Sequence, residues 1–173
     1  PWRNAENFDE IYLMTALDHA AYATKVLDLC EGRTVHDELT TFCEDTHQLI
    51  GANVAQMQAW LNDWFGRAHS PELSSDQLDR IAQIGELDGE TFEVEFMHEL
   101  AEHQNLLIKQ AGPCAGGAEH GLLADFCALA SQQASDQITS LNDWLCAWYD
   151  ECGVDDPVAS EAATWSALKA LYE

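Results

Sequence analysis

The sequence predicts an all-α protein: a four-helix bundle made of two repeated helical hairpins, with a short linker helix and a C-terminal helix added. Three observations carry that expectation. Apolar positions recur every three or four residues along four stretches, the same landmarks recur 84 positions later, and glycine- and proline-bearing breaks separate the stretches.

The 84-residue recurrence aligns Phe8 with Phe92, His19 with His103, Cys30 with Cys114 and His36 with His120. It continues through Cys43 with Cys127, Trp60 with Trp144 and Trp64 with Trp148, with no insertion or deletion. Paired Cys, Trp and His in a single register point to an internal duplication. Repeat one covers about residues 6–66 and repeat two about 90–150, joined by a linker with a short helix over 67–89. A length of 173 residues suits one domain with a sizeable core.

In the first repeat, Phe8, Tyr12, His19, Tyr22 or Ala23, and Val26 mark one helical face. Gly32 interrupts, and Thr34 with Asp37 resembles a capping box for a second helix. That helix carries Leu39, Cys43, Thr46, Ile50, Asn53, Met57, Trp60 and Trp64, the seam of a packed antiparallel pair. The linker from Gly66 leads to a helix from Ser75 to about Leu87. In the second repeat, Phe92, Phe96, Leu100, His103 and Leu107 form the first face. Gly112, Pro113, Gly116 and Gly117 predict a break, and Leu123, Cys127, Ala130, Ala134, Gln137, Leu141, Trp144 and Trp148 form the second seam. After a break at Gly153 to Pro157, Trp165, Leu168 and Leu171 share a stripe on a last helix, about 158–172.

Six cysteines without a Cys-x-x-Cys pair point to disulfides and an oxidising, extracytoplasmic compartment. Repeat symmetry favours Cys30–Cys43 and Cys114–Cys127, leaving Cys146–Cys152, one of 15 possible pairings. A chain starting at Pro1 reads as a mature form after signal removal. No apolar run approaches the roughly 18 residues of a membrane span, so membrane insertion is not expected. A net charge of −24 repels nucleic acid and anionic membranes and suits cations, a basic protein partner or self-assembly.

His19 and His103 are the candidate metal ligands. Each is a polar residue on an apolar face, where burial without a partner costs roughly 1–3 kcal/mol. Each follows an acid, Asp18 or Glu102. If Cys30 and Cys43 lie level across the hairpin, His19 falls near Asn53, and by the same count His103 falls near Gln137. Two readings stay open: His–amide hydrogen bonds that set helix register, or two imidazoles that share a transition metal such as copper, zinc or iron. Glu44-x-x-His47 and Glu95-x-x-His98 match the di-iron string, but their counterparts 84 residues away do not, so a solvated helix face is the expectation. His36 and His120 fall at the starts of the second helices, where capping is expected. No nucleophile with an adjacent base can be assembled, so no catalytic residues are assigned.

Asp9-x-x-Tyr12-Leu13 with His19 and Ala23 downstream, and the close Met57-x-x-Trp60-Leu61-x-x-Trp64, resemble the domain-of-unknown-function 305 family. Glu93-x-x-Phe96-Met97, His103, Leu141-x-x-Trp144-Leu145 and Trp148 repeat the pattern. The resemblance implies an exported, ferritin-like four-helix bundle in tandem copies, with His19 and His103 as copper ligands. The chain departs from the family pattern where its second His is Ala20 and Gln104, where its methionines before the His pair are Thr15, Ala16, Glu99 and Leu100, and where its second-helix acid is Asn53 and Gln137. The expected function is an exported, non-catalytic metal-binding protein. The alternative is a disulfide-stapled acidic scaffold whose histidines are structural.

Overall fold

The computed structural model describes residues 7–153. The helix expected at about 158–172 lies outside the described residues. Five helices follow in order: α1 (Phe8–Asp28), α2 (Asp37–Phe65), α3 (Ser75–Gly85), α4 (Gly89–Gly117) and α5 (Gly121–Tyr149). No strand occurs among the described residues, and none of these helices is long and apolar enough to cross a membrane. The protein is all-α.

Contacts divide it into two compact units. One is Leu13–Met97; the other joins the described residues up to Tyr12 with the described residues from His98 onward. The boundaries therefore cut through α1 and α4 rather than between the two proposed repeats.

In the Leu13–Met97 unit, α1 is buried nearly all round, with Leu13, Met14, Leu17, Ala23 and Val26 almost without exposure. A helix apolar on every side belongs inside a core. By contrast, α2 buries one stripe, Leu39, Cys43, Thr46, Met57 and Leu61, at the three-and-four spacing read from sequence. It ends at Gly66, whose φ of 59° lets the Gly66 and Arg67 amides turn back to the Asn62 and Leu61 carbonyls. A loop then reaches Ser74, which caps α3 in a full capping box with Gln77.

In the other unit, α5 buries Leu123, Cys127, Ala134, Ile138, Leu141 and Leu145. Ile108 of α4 packs with Ala134 and Ile138, with Leu107 beside them. The expected break at Gly112–Pro113 is not there: α4 runs on to Gly117 with Pro113 inside it. Proline removes one backbone donor. Close to the helix end, that loss leaves only the Lys109 carbonyl short of its usual bond. Its counterpart α1 stops at Asp28, before Cys30.

All three expected disulfides form. Cys30–Cys43 and Cys114–Cys127 each close a 13-residue separation, with Cα atoms 6.5 and 5.9 Å apart; Cys146–Cys152 closes 6 residues at the end of α5.

The starts of α2 and α5 are capped in a way the sequence did not announce. The Thr34–Asp37 box is absent: His36 is the N-cap and its side chain makes no cap bond, while Thr34 pairs with Thr40 through their hydroxyls at 2.6 Å. The cap is instead the carboxylate of Glu93, on α4. One oxygen accepts the Val35 and His36 amides at 2.6 and 2.9 Å, and the other accepts His36 Nδ1 at 2.6 Å. At α5, Asp9 of α1 does the same work. It accepts the Glu119 and His120 amides at 3.1 and 2.9 Å and His120 Nδ1 at 2.7 Å. Both carboxylates are 0 % exposed, so each has exchanged water for three donors at a helix N-terminus. Glu93→Ala, which strands those donors, is expected to cost about 2–4 kcal/mol in urea unfolding, and Asp9→Ala a similar amount. Exposed Glu44→Ala is the reference, at under about 0.5 kcal/mol; losses no larger than that at Asp9 and Glu93 would show that the caps carry no stability.

Candidate metal centre

His19 lies midway along α1 and His103 midway along α4; they are 7 % and 8 % exposed. The helical period explains the burial of His19. It shares the α1 stripe with Tyr12, four residues before it with Thr15, and four after it with Ala23, all buried. Its Nε2 is sealed from solvent. The Thr15 hydroxyl, one turn earlier on the same face, is fully buried and has no hydrogen-bond partner. A buried hydroxyl in that state is uncommon in a native core and marks this face of α1 as polar where packing alone would favour an aliphatic side chain.

The residues expected around the two histidines have their own partners. Asp18 accepts from His69 Nε2 at 2.7 Å. His69 comes from the loop between α2 and α3, is itself buried, and accepts at its carbonyl from Gln58 Nε2 at 3.0 Å. This latch fastens the loop to α1 and α2. Gln137 of α5 accepts from Gln104 Nε2 on α4, so two of the positions that depart from the family pattern meet as an amide pair. Glu102 is exposed and Asn53 half-buried.

The Glu-x-x-His strings dissolve into separate surface pairs. Exposed His47 meets Asp28 at 3.0 Å, Glu95 meets Arg80 at 3.0 Å, and His98 pairs with Glu151. Among the described residues, no three His, Cys, Asp or Glu side chains are grouped to hold a metal ion. His36 and His120 belong to the two caps. Trp60 and Trp64 stack at 5.1 Å, and Trp144 and Trp148 at 5.3 Å, each pair half-buried.

The molecule is thus an all-helical, disulfide-bridged protein that carries one buried imidazole on α1 and another on α4. Its fold is that of a domain-of-unknown-function 305 protein. A Streptomyces coelicolor protein described as a secreted DUF305 protein superposes with a TM-score of 0.73 over 87 % of this chain and 99 % of its own, at 19 % identity. CopM in its Cu(I)-bound form gives 0.72 over 82 % of this chain and 97 % of its own, at 17 % identity. Silver-soaked CopM gives 0.72 over 84 % and 99 %, at 16 %. No protein-family model and no curated protein matches the sequence.

Burial also acts on Tyr12, on the same stripe as His19, and pushes its hydroxyl far above the ordinary tyrosine value. A raised value means the folded state holds the neutral phenol. Its stabilising share is therefore intact below about pH 10 and is lost as pH rises beyond that. Urea midpoints measured from pH 8 to 11 are expected to fall less steeply in Tyr12→Phe than in the parent; identical slopes would exclude this contribution.

Proposed function

We propose that the chain is an exported, non-catalytic protein that binds a transition metal as cargo, copper among the candidates, through His19 and His103. The observation that carries this reading is the burial of both imidazoles, 84 positions apart, in a fold shared with a protein solved in copper- and silver-bound forms. Neutral imidazole suits copper, zinc, nickel and iron. The orphaned Thr15 hydroxyl beside His19 adds a polar atom that a bound ion or its water would satisfy. A net charge of −24 raises the local concentration of cations around the molecule. Three disulfides and the secreted description of the DUF305 neighbour support an extracytoplasmic site of action.

A second reading, an acidic scaffold with structural histidines, is favoured by one observation. The Gln104–Gln137 pair fills with neutral amides a place where the family pattern has a His and an acid. Such a pair fixes helix register without any ion.

Titration of metal-free protein separates the two. Binding of copper or zinc tighter than about 10 µM is expected, with loss of at least about tenfold in the His19→Ala, His103→Ala double variant. Binding weaker than that, or binding indifferent to both substitutions, would leave the scaffold reading standing. Circular dichroism of the double variant guards against reading misfolding as lost affinity.

A further inference from the structure

Charge is laid unevenly over this chain, and one stripe of α5 is bare of it. We infer that this stripe, centred on Leu122, Phe126 and Leu129, is a self-association surface through which two copies of the chain pair weakly, α5 against α5. The surface is independent of the metal-binding reading above.

Among the described residues, the most exposed large apolar side chains are Leu122 at 65 % and Leu129 at 59 %. They stand two turns apart on α5 and so share a face, with half-buried Phe126 in the turn between them. Further along that face come Gln133, Ser140 and Trp144, none of them charged. The nearest acids on the helix, Asp125 and Asp136, lie on the wet side of the stripe. In the same register 84 positions earlier, α2 carries exposed Glu38 and Asp45 around Phe42. Two leucines thus stand where the other helix keeps two carboxylates. Single exposed leucines are ordinary, but an acid-free apolar stripe on a chain of net charge −24 calls for a partner. A basic partner is drawn to carboxylates such as those of α2, not to the stripe that lacks them. A second copy is the opposite case. It is itself strongly acidic, and in a twofold contact every residue appears twice, so each acid kept on the stripe would meet another acid. Antiparallel α5 helices crossing near Phe126 lay Leu122 over the partner's Leu129, and the reverse. Area sets the strength. The 29 residues of α5 span about 43 Å, and a face about 10 Å wide presents roughly 430 Å² per copy, about half that of a standard interface. The contact is therefore weak, and repulsion between two acidic molecules makes it depend on salt.

The test is sedimentation equilibrium of the full, oxidised chain with EDTA present, so that no metal bridges two copies. At about 50 mM sodium chloride the repulsion reaches beyond about 10 Å, and a monomer of 19.2 kDa is expected. At about 1 M that range falls to about 3 Å, and the mass of a protein solution near about 0.5 mM is expected to climb toward twice the monomer value. The dimer dissociation constant is expected to be at least about tenfold lower at the higher salt. The Leu122→Glu, Leu129→Asp double variant sets acids at two exposed positions, as on α2, and is expected to keep the circular dichroism spectrum of the parent yet stay monomeric at both salts. Leu78→Glu, at an exposed leucine of α3, is expected to dimerise as the parent does. A parent chain that stays monomeric at 1 M salt overturns the proposal. A lower urea midpoint in the double variant would then assign the stripe to a contact within the same chain, and an unchanged midpoint to a different protein or to water. Association that persists undiminished in the double variant overturns it too, by placing the contact on another face.

Discussion

A carboxylate withdrawn from water has to be met by donors, and the positions of Asp9 and Glu93 show how much of this molecule answers to that demand. Each sits near the start of one helix and reaches the start of another, where backbone amides are left over by helix geometry and an imidazole Nδ1 completes the set. The ends joined this way are far apart in sequence, about 57 residues for Glu93 and about 110 for Asp9. A cap of this kind fixes both where a helix begins and which other helix it begins against. Cys30–Cys43 and Cys114–Cys127 span the same two turns, but they tie the helices on either side of each turn, whereas Glu93 and Asp9 reach each turn from a helix outside that hairpin.

Much of this was legible in the sequence, for physical reasons that differ by element. The α2 and α5 stripes were readable because one face is buried and one is wet, so periodicity survives. The face assigned to α1 was too narrow, because a helix buried on nearly all sides has no period to reveal. Disulfide pairing followed from the recurrence of Cys30 and Cys43 at Cys114 and Cys127. The helix caps were misassigned: Thr34 and Asp37 have the spacing of a capping box, but a buried Glu93 57 residues away outcompetes them. Asp9 and Glu93 were visible as a conserved-charge pair at the right offset, yet nothing local says that an acid in one helix caps another. The Gly112–Pro113 break misled because a proline near a helix end costs a single backbone bond, the one to the Lys109 carbonyl, and α4 continues past it to Gly117.

The candidate site was legible only in part. Both histidines were picked out by apolar surroundings, and their burial is what the structure contributes. His69 escaped because it stands in a loop, has no counterpart 84 residues on, and takes its meaning from Asp18, 51 residues earlier. The amide pair of Gln104 and Gln137 needed coordinates, since a glutamine on a seam can reach several neighbours. In sequence Thr15 stood out only as a departure, with Ala16, Glu99 and Leu100, from the methionines of the family pattern, since threonine inside a helix ordinarily bonds back to the preceding turn. Here its hydroxyl does not, and that one omission says more about the α1 face than the stripe around it.

The direction of reach at the two caps has a consequence during synthesis. Asp9 has long left the ribosome when the start of α5 emerges, so that helix finds its anion waiting. The start of α2 emerges first and must wait for some 57 further residues before Glu93 exists. At about 5–20 residues per second that is roughly 3–11 s of exposed amide groups on a nascent hairpin. Order of emergence thus leaves the amides at the start of α2 without their carboxylate for longer than those at the start of α5.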